Sequence, residues 1–287
     1  MASILPQSRV RTNGLPPLTR LYQTLQTIFF SGRSVRRLTA LILFFGIWQI
    51  LCMIGFKFFI NFQLIPSPWE VLNATVDFFL SDPWVHIRSS VVRVLVGFAV
   101  ASVLGVALGI LIGWFQIAED LLMPSLELLR PIPAVAWIPL AILMFPNAET
   151  GMIYITFIGA FFPILISTIQ AVENILHDIV LIRVGQCLGA SQWHVFKDIV
   201  IPGALPGIAG GLTIGMGNAW FCLVTAEILA GRYGVGYVTW ESYVTSNYPP
   251  IVMGMLLIGL MGAFSSWAVG HGTAALMPWR VNKKQDA

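Results

Sequence analysis

The chain has 287 residues, of which 57% are hydrophobic and only 10% charged, and its mean hydropathy is +0.81. Soluble domains carry roughly 25% charged residues, so this composition cannot clothe a water-soluble surface; it equally excludes disorder, which needs low hydrophobicity and high charge. A formal net charge of +3 is too small for a nucleic-acid footprint, and the expectation is an all-α polytopic membrane protein whose main solvent is lipid.

Residues 1–37 form a basic tail in which Leu18, Leu21, Leu25, Ile28 and Phe29 recur at helical intervals between Arg20 and Arg33. The pattern reads as an amphipathic helix on the inner membrane surface, with a linker of accidental periodicity as the alternative. No small-x-small cleavage site follows the first apolar run, which therefore reads as a retained span rather than a signal peptide. A spanning helix needs about 20 mostly apolar residues. Six stretches are candidates: 38–56, 91–114, 132–145, 151–172, 205–230 and 251–276. The third is short and holds Pro133 and Pro139. The domain reading is a tail (1–37), a transmembrane domain (38–276) and a C-terminal tail (277–287).

The connection after the first span is broken by Pro66-Ser67-Pro68, beyond which Val71, Leu72, Val76, Phe78 and Phe79 suit a second surface helix. The connection at Pro146-Asn147 is tight. No period of 20–50 residues repeats, which excludes a solenoid. Cys52, Cys187 and Cys222 lie far apart without C-x-x-C spacing and read as packing residues, with neither a disulfide framework nor a metal site suggested.

Six spans put both termini on one side. That side collects Arg9, Arg11, Arg20, Arg33, Arg36 and Arg37 before the first span, Arg130, Arg183 and Lys197 in connections, and Arg280, Lys283 and Lys284 at the end. The other side has Lys57, Arg88 and Arg232. The bias predicts cytoplasmic termini.

The cytoplasmic stretch 173–206 is the most informative. Ile175, Leu176, Ile179 and Ile182 follow helical spacing, Gly189 interrupts, and Trp193, Phe196 and Val200 resume a helical face before Pro202. The pattern predicts helix, glycine bend, helix, and a proline stop, since glycine permits the positive φ of a sharp bend. Such an elbow, projecting from a bundle, is a docking knob for a soluble partner.

These residues resemble the cytoplasmic loop of ABC-importer permease subunits, written E-A-A, three residues, G, nine residues, I, one residue, L-P. Gly189, Ile199 and Pro202 match in identity and register, and Ile201 stands for the leucine. The segment LGASQWHVFKDIVIPGALPGI is similar to that of the nitrate/sulfonate/taurine branch, as are RPIPAVAWIPL from Arg130 and GAFFPI from Gly159. The resemblance covers roughly residues 38–275. It departs at the E-A-A triplet, which falls on Arg183, Val184 and Gly185: a base replaces the glutamate, and the glycine weakens that helix by about 1 kcal/mol relative to alanine.

The resemblance implies a type I importer-like permease fold and a coupling role for Arg183, Gly185, Gly189, Ala190, Ser191, Trp193, Phe196 and Pro202. The plain alternative is an ordinary connection whose apolar face lies on the membrane. It also implies partners: cytoplasmic ATPase subunits, a periplasmic or lipoprotein binding protein, and a second permease copy, most simply a homodimer. The chain lacks G-x-x-x-x-G-K-[ST] and holds no H-E-x-x-H or G-x-S-x-G motif. No cofactor is therefore expected in it, with ATP and magnesium in the partner subunit.

Polar groups inside spans are costly and often functional. Glu227 near the outer end of the fifth span either lines the pathway or packs against Arg93 or backbone. Asn218, Trp220 and Thr225 share its span, and Arg93 either snorkels to the interface or attracts anions. Arg130 reads as a positive-inside anchor. Trp240, Glu241, Tyr243 and Tyr248 sit outside, as a binding-protein dock or an aromatic belt. Gly207, Gly210, Gly211, Gly215 and Gly217 read as packing sites between helices or between copies. The branch resemblance implies import of a small anion such as nitrate, bicarbonate, cyanate or a sulfonate like taurine. Rival readings are a non-transporting scaffold and an ion-gradient-driven transporter; the latter usually shows inverted repeats, which are not visible here.

Overall fold

The computed structural model describes residues 33–55, 64–81 and 83–279; the amphipathic segment expected in the N-terminal tail and the basic C-terminal tail lie outside them. The chain divides into two compact units, Met1–Trp69 and Glu70–Ala287. In the first, helix α1 (Arg33–Ile54) carries the first span and ends at Gly55, whose φ of +62° lets its N–H turn back to the Cys52 carbonyl. A second helix, α2 (Pro68–Leu80), begins at the unit boundary on a proline, where the missing N–H costs nothing.

The second unit is a helical bundle. Helix α3 (Trp84–Trp114) is followed by α4 (Gln116–Leu129), a 3-10 turn (Ala134–Trp137) and α5 (Ile138–Met144). Then come α6 (Ala148–His177), α7 (Ile179–Cys187), α8 (Gln192–Ala230), α9 (Val235–Val244) and α10 (Pro249–Ala275). Among the described residues, five helices are long and apolar enough to cross a membrane. The α4–α5 pair makes a sixth crossing if the two are taken as one bent span.

Helix α6 is the centre. Along α3, Gly97, Ala101, Gly105, Gly109 and Gly113 fall four residues apart and all are buried. Residues at that spacing share one helix face, so the stripe lets the α3 backbone close onto α6. A Cβ on Gly109 would stand 2.6 Å from Thr168 Cβ, and one on Gly113 2.9 Å from Val172 Cβ. On the other side of α6, Gly207, Gly211 and Gly215 of α8 approach Ala171, Ser167 and Ile164 in the same way. Gly210 and Gly217 have open space beside them. Close backbone approach through small residues is how helices associate in lipid, where apolar burial supplies no drive. The buried hydroxyls of Thr156 and Thr168 donate to the carbonyls of Met152 and Ile164 one turn back, at 2.8 and 2.7 Å.

Two expectations need correction. The stretch 132–145 is not one short helix: a 3-10 turn (Ala134–Trp137) leads into α5 (Ile138–Met144), and this half meets α4 (Gln116–Leu129) at a bend of 83°. Pro131 and Pro133 remove two amide donors, so the helix cannot continue past Arg130, which still keeps helical angles of φ −55° and ψ −42°. The second elbow helix does not stop at Pro202. It runs on as α8 because Val195–Val200 widens into a π turn, in which the Ile201 N–H reaches back five residues to the Phe196 carbonyl. That widening accommodates the proline ring, which would clash with the carbonyl four residues back in a regular helix. Trp240, Glu241 and Tyr243 lie on helix α9, which packs beside α8 and α10.

Candidate functional site

The elbow is built as the spacing predicts. Asp178 caps α7, accepting from the Leu181 N–H, and Gly189 takes φ +83° at the bend. Ser191 then caps the next helix, accepting from the His194 N–H, while its hydroxyl lies 2.7 Å from His194 Nδ1. Gly185 is buried because α7 presses on Ile199; a Cβ there would stand 2.6 Å from the end of that flexible side chain. The elbow has its own small core, in which Val195, Val200, Ala204 and Ile208 bury against Ala171 and Val172 of α6. This core makes the elbow a firm extension of the bundle.

Its outer face is apolar and open. Val180, Val184, Leu188 and Trp193 are 72%, 53%, 83% and 65% exposed, and Arg183 is exposed among them. Ala190 is half-buried and packs with Ile175 and Ile199 on the elbow core. Phe196 turns inward, with its ring 4.8 Å from that of Trp114 at the end of α3. It belongs to the joint rather than to the open face.

At the opposite end of the bundle a polar cluster joins α3, α6, α8 and the start of α9. Arg93 and Glu227 are 2% and 0% exposed and meet at 2.7 Å, Nη1 to Oε1. The Arg93 guanidinium also grips Glu149 with two bonds, Nη2 to Oε1 at 2.5 Å and Nε to Oε2 at 2.7 Å. Ser90 donates to Glu227 Oε1 at 2.8 Å and accepts from the Val235 N–H at 2.9 Å. The Gly236 N–H donates to Oε2 at 2.9 Å. Gly234, at φ +134°, lies so close to the Glu227 carboxylate that a Cβ would collide with it. Every charge and donor in this cluster is matched, the condition for burying ions. Glu227 is thus buried against Arg93 and backbone, while Arg93 and Glu149 also border a cavity of about 480 Å³ beside Trp84, Arg88 and Ile153.

A cavity of about 530 Å³ opens between α6, α8 and the break in the interrupted span. Its walls are apolar, with Phe162, Pro163, Ile214 and Phe221 among them, and its polar side chains are Arg130, Ser167 and Asn218. Asn218 is thus the pathway candidate that lines this cavity. Trp220, Thr225, Arg93 and Glu227 do not line the cavity; Trp220 is 5% exposed and donates to Ser265 Oγ at 2.7 Å. Thr225 returns its hydroxyl to the Phe221 carbonyl at 3.0 Å. Arg130 caps the C-terminal end of α4, its N–H donating to the Leu126 carbonyl. It shares a wall with Ile158–Ser167 and Ile214–Cys222, which are the middles of α6 and α8.

The sequence reading missed Ser90, Glu149, Ser167 and the α3 stripe. The stripe was visible as a four-residue glycine and alanine period, and Glu149 as a charge directly before a span. Nothing local marked Ser90 or Ser167.

A bundle of interrupted and full spans, with a rigid helical elbow at one end and no nucleotide-binding loop of its own, defines a membrane permease that draws its energy from another subunit. Residues 105–273 match the family described as "Binding-protein-dependent transport system inner membrane component", and the chain belongs to that family. It is the permease subunit of an ABC importer and a multi-pass inner-membrane protein. ATP hydrolysis lies in a separate subunit, and transport depends on a binding protein.

Relatives bear this out. The chain is 34% identical over 261 residues to the nitrate import permease protein NrtB of Synechocystis sp., covering 88% of this chain and 91% of the relative. It is 31% identical over 237 residues to the putative aliphatic sulfonates transport permease protein SsuC of Bacillus subtilis, covering 82% and 84%. It is 29% identical over 221 residues to the taurine transport system permease protein TauC of Escherichia coli, covering 75% and 80%.

Proposed function

We propose that this permease moves a small oxyanion or sulfonate from periplasm to cytoplasm by alternating access, with two copies paired and an ATPase docked on each elbow. The names of the nitrate, sulfonate and taurine relatives support the substrate class. The basic bias along the sequence supports cytoplasmic termini and a cytoplasmic elbow. ATP and its magnesium ion bind in the partner subunits, and this chain supplies no catalytic group.

The observation that carries the coupling role is the elbow itself: two capped helices about a positive-φ glycine, seated on a private core, with an apolar outer face. Such a face is unfavourable in water and asks for a groove to fill. Closure of two ATPases around ATP would draw the two elbows together and tilt the helices attached to them. Arg183 stands where the family motif has a glutamate, so the matching groove should carry an acid there.

The test is reconstitution in liposomes of the permease with the ATPase encoded beside it, the cognate binding protein, and a panel of nitrate, bicarbonate, cyanate and taurine. The expected result is ATP hydrolysis stimulated only when both the binding protein and one anion are present. An assembled complex whose hydrolysis ignores every anion removes the substrate class. Gly189→Val should abolish co-purification with the ATPase while Gly189→Asn retains it, because asparagine tolerates a positive φ and valine does not. Equal co-purification by the two variants removes the elbow from coupling.

A further inference from the structure

The cavity at the break of the interrupted span holds an unusual balance of charge. Arg93 and Arg130 are treated in opposite ways by the bundle. Arg93 is locked between two carboxylates. The Arg130 guanidinium makes no ion pair and no hydrogen bond with any described residue, and Arg130 lines open volume level with the middles of α6 and α8.

Ser167 and Asn218 share that cavity, and their side chains likewise have no hydrogen-bond partner among the described residues. This is unusual for serines and threonines in this bundle. Ser89, Ser102, Thr156, Thr168, Thr213 and Thr225 all return their hydroxyls to a carbonyl one turn back. The break provides the position. Pro131 and Pro133 interrupt the helix directly after Arg130, so Arg130 caps the end of α4 in helical conformation, with the irregular residues that follow it lining the same cavity, the setting in which such backbone is tolerated at membrane depth.

We propose that Arg130, Asn218 and Ser167 form the transmembrane station that receives the transported anion after the binding protein releases it. The inference rests on the anion-import reading above and deepens it. A guanidinium offers paired donors that fit the oxygens of a nitrate, carboxylate or sulfonate. The Asn218 amide and the Ser167 hydroxyl add neutral donors, and the apolar walls around them leave the charge unscreened. An uncompensated guanidinium at this depth is costly by itself, and an arriving anion offsets that cost. One cation with no fixed counter-charge also suits transport, because it attracts the anion without the permanent grip that Glu149 and Glu227 keep on Arg93.

Because the binding protein captures the anion first, the station acts after handover. Loss of Arg130 should lower the maximal uptake rate and leave the half-saturating anion concentration where the binding protein sets it. A merely structural role would instead reduce the amount of assembled complex. The test uses the full complex in liposomes, with nitrate, bicarbonate, cyanate and taurine as probes, and compares wild type with Arg130→Gln and Arg130→Lys at equal amounts of co-eluting ATPase.

For whichever probe the wild type carries, Arg130→Gln should reduce maximal uptake roughly 10- to 100-fold, the scale of a lost hydrogen bond to a charged group. Arg130→Lys should restore part of it. Wild-type maximal uptake by Arg130→Gln overturns the inference while the import reading stands. Uptake of none of the four probes by the wild type removes the import reading and the station with it. If Arg130→Gln fails to assemble, Asn218→Ala combined with Ser167→Ala takes its place, since neither side chain holds an intramolecular bond. That double variant should transport several-fold more slowly, and an unchanged rate overturns the inference.

Discussion

Glu227→Gln is the most informative single change at the polar cluster, because it keeps volume and removes charge. All four contacts to the Glu227 carboxylate come from donors: Ser90 and Arg93 on Oε1, Ser90 and Gly236 on Oε2. An amide presents a donor of its own on one of those positions. Whichever way the new amide turned, its NH₂ would face either the Arg93 guanidinium or the Gly236 N–H. Removing one partner of a buried ion pair costs about 3–5 kcal/mol. Arg93 keeps its two bonds to Glu149 and the substituted side chain keeps its shape, so the lower end applies, about 3 kcal/mol, or roughly a hundredfold in the folded-to-unfolded ratio. Thermal and denaturant unfolding of the purified permease in detergent micelles reads this directly. Arg93→Met combined with Glu227→Leu should be less destabilised than either single variant, because the pair removed together leaves no unmatched buried charge. Additive losses would contradict the argument. So would a Glu227→Gln protein that unfolds like wild type yet no longer transports, since that result would place the carboxylate on the substrate path.

Two further outcomes follow from packing. Gly109→Ala should lower stability and membrane yield, because its Cβ would also stand 3.0 Å from the Leu165 carbonyl oxygen, which is backbone and cannot rotate away, whereas Gly217→Ala, with nothing within 4 Å, should be neutral; melting midpoints of the two variants check this. Trp193→Ala should leave stability within about 0.5 kcal/mol of wild type and weaken ATPase co-purification, as an exposed contact would. Phe196→Ala should lower the melting midpoint as well, because it removes the ring packed on Trp114.

How far the sequence could be read follows from what each feature depends on. The spans declared themselves because lipid tolerates little else than long apolar runs. The elbow declared itself because Gly189, Ser191 and Pro202 act on their own backbone. Even there, the π turn before Pro202 was hidden: whether a proline stops a helix or merely widens it depends on what packs beside it, here Val195 and Val200 against α6. The interrupted span failed for a related reason. Its first half, α4, carries Glu119, Asp120 and Glu127 among its apolar residues, so hydropathy alone reads it as a connection and shifts the crossing to its second half. That shift in turn put Arg130 at a membrane edge. Arg93 and backbone could be named beside Glu227 as one alternative, but Ser90, and Glu149 on the far side of Arg93, could not, since these groups meet only after four helices have closed on one another.

The closing of those helices also explains why a knob at one end of the bundle can matter at the other. Helix α8 begins in the elbow at Gln192 and ends at Ala230, 39 residues without a stop, which at 1.5 Å per residue is at most about 58 Å. It carries Trp193 at the elbow, Asn218 on the cavity and Glu227 in the ion cluster. The π turn that replaces a proline stop is what keeps the three on one element. With a break at Pro202 the elbow would hang on a hinge, and its movement would be absorbed locally. With the helix continuous, and Gly207, Gly211 and Gly215 seating it on α6, a displacement of the elbow is passed to the cavity wall as a tilt. In the proposed cycle the matched ion cluster would pin the far end, so that such a tilt would pivot about Glu227 and change the width of the cavity beside Asn218. In the proposed cycle this turns ATPase closure into a change of access to the Arg130 cavity without a second moving part in this chain.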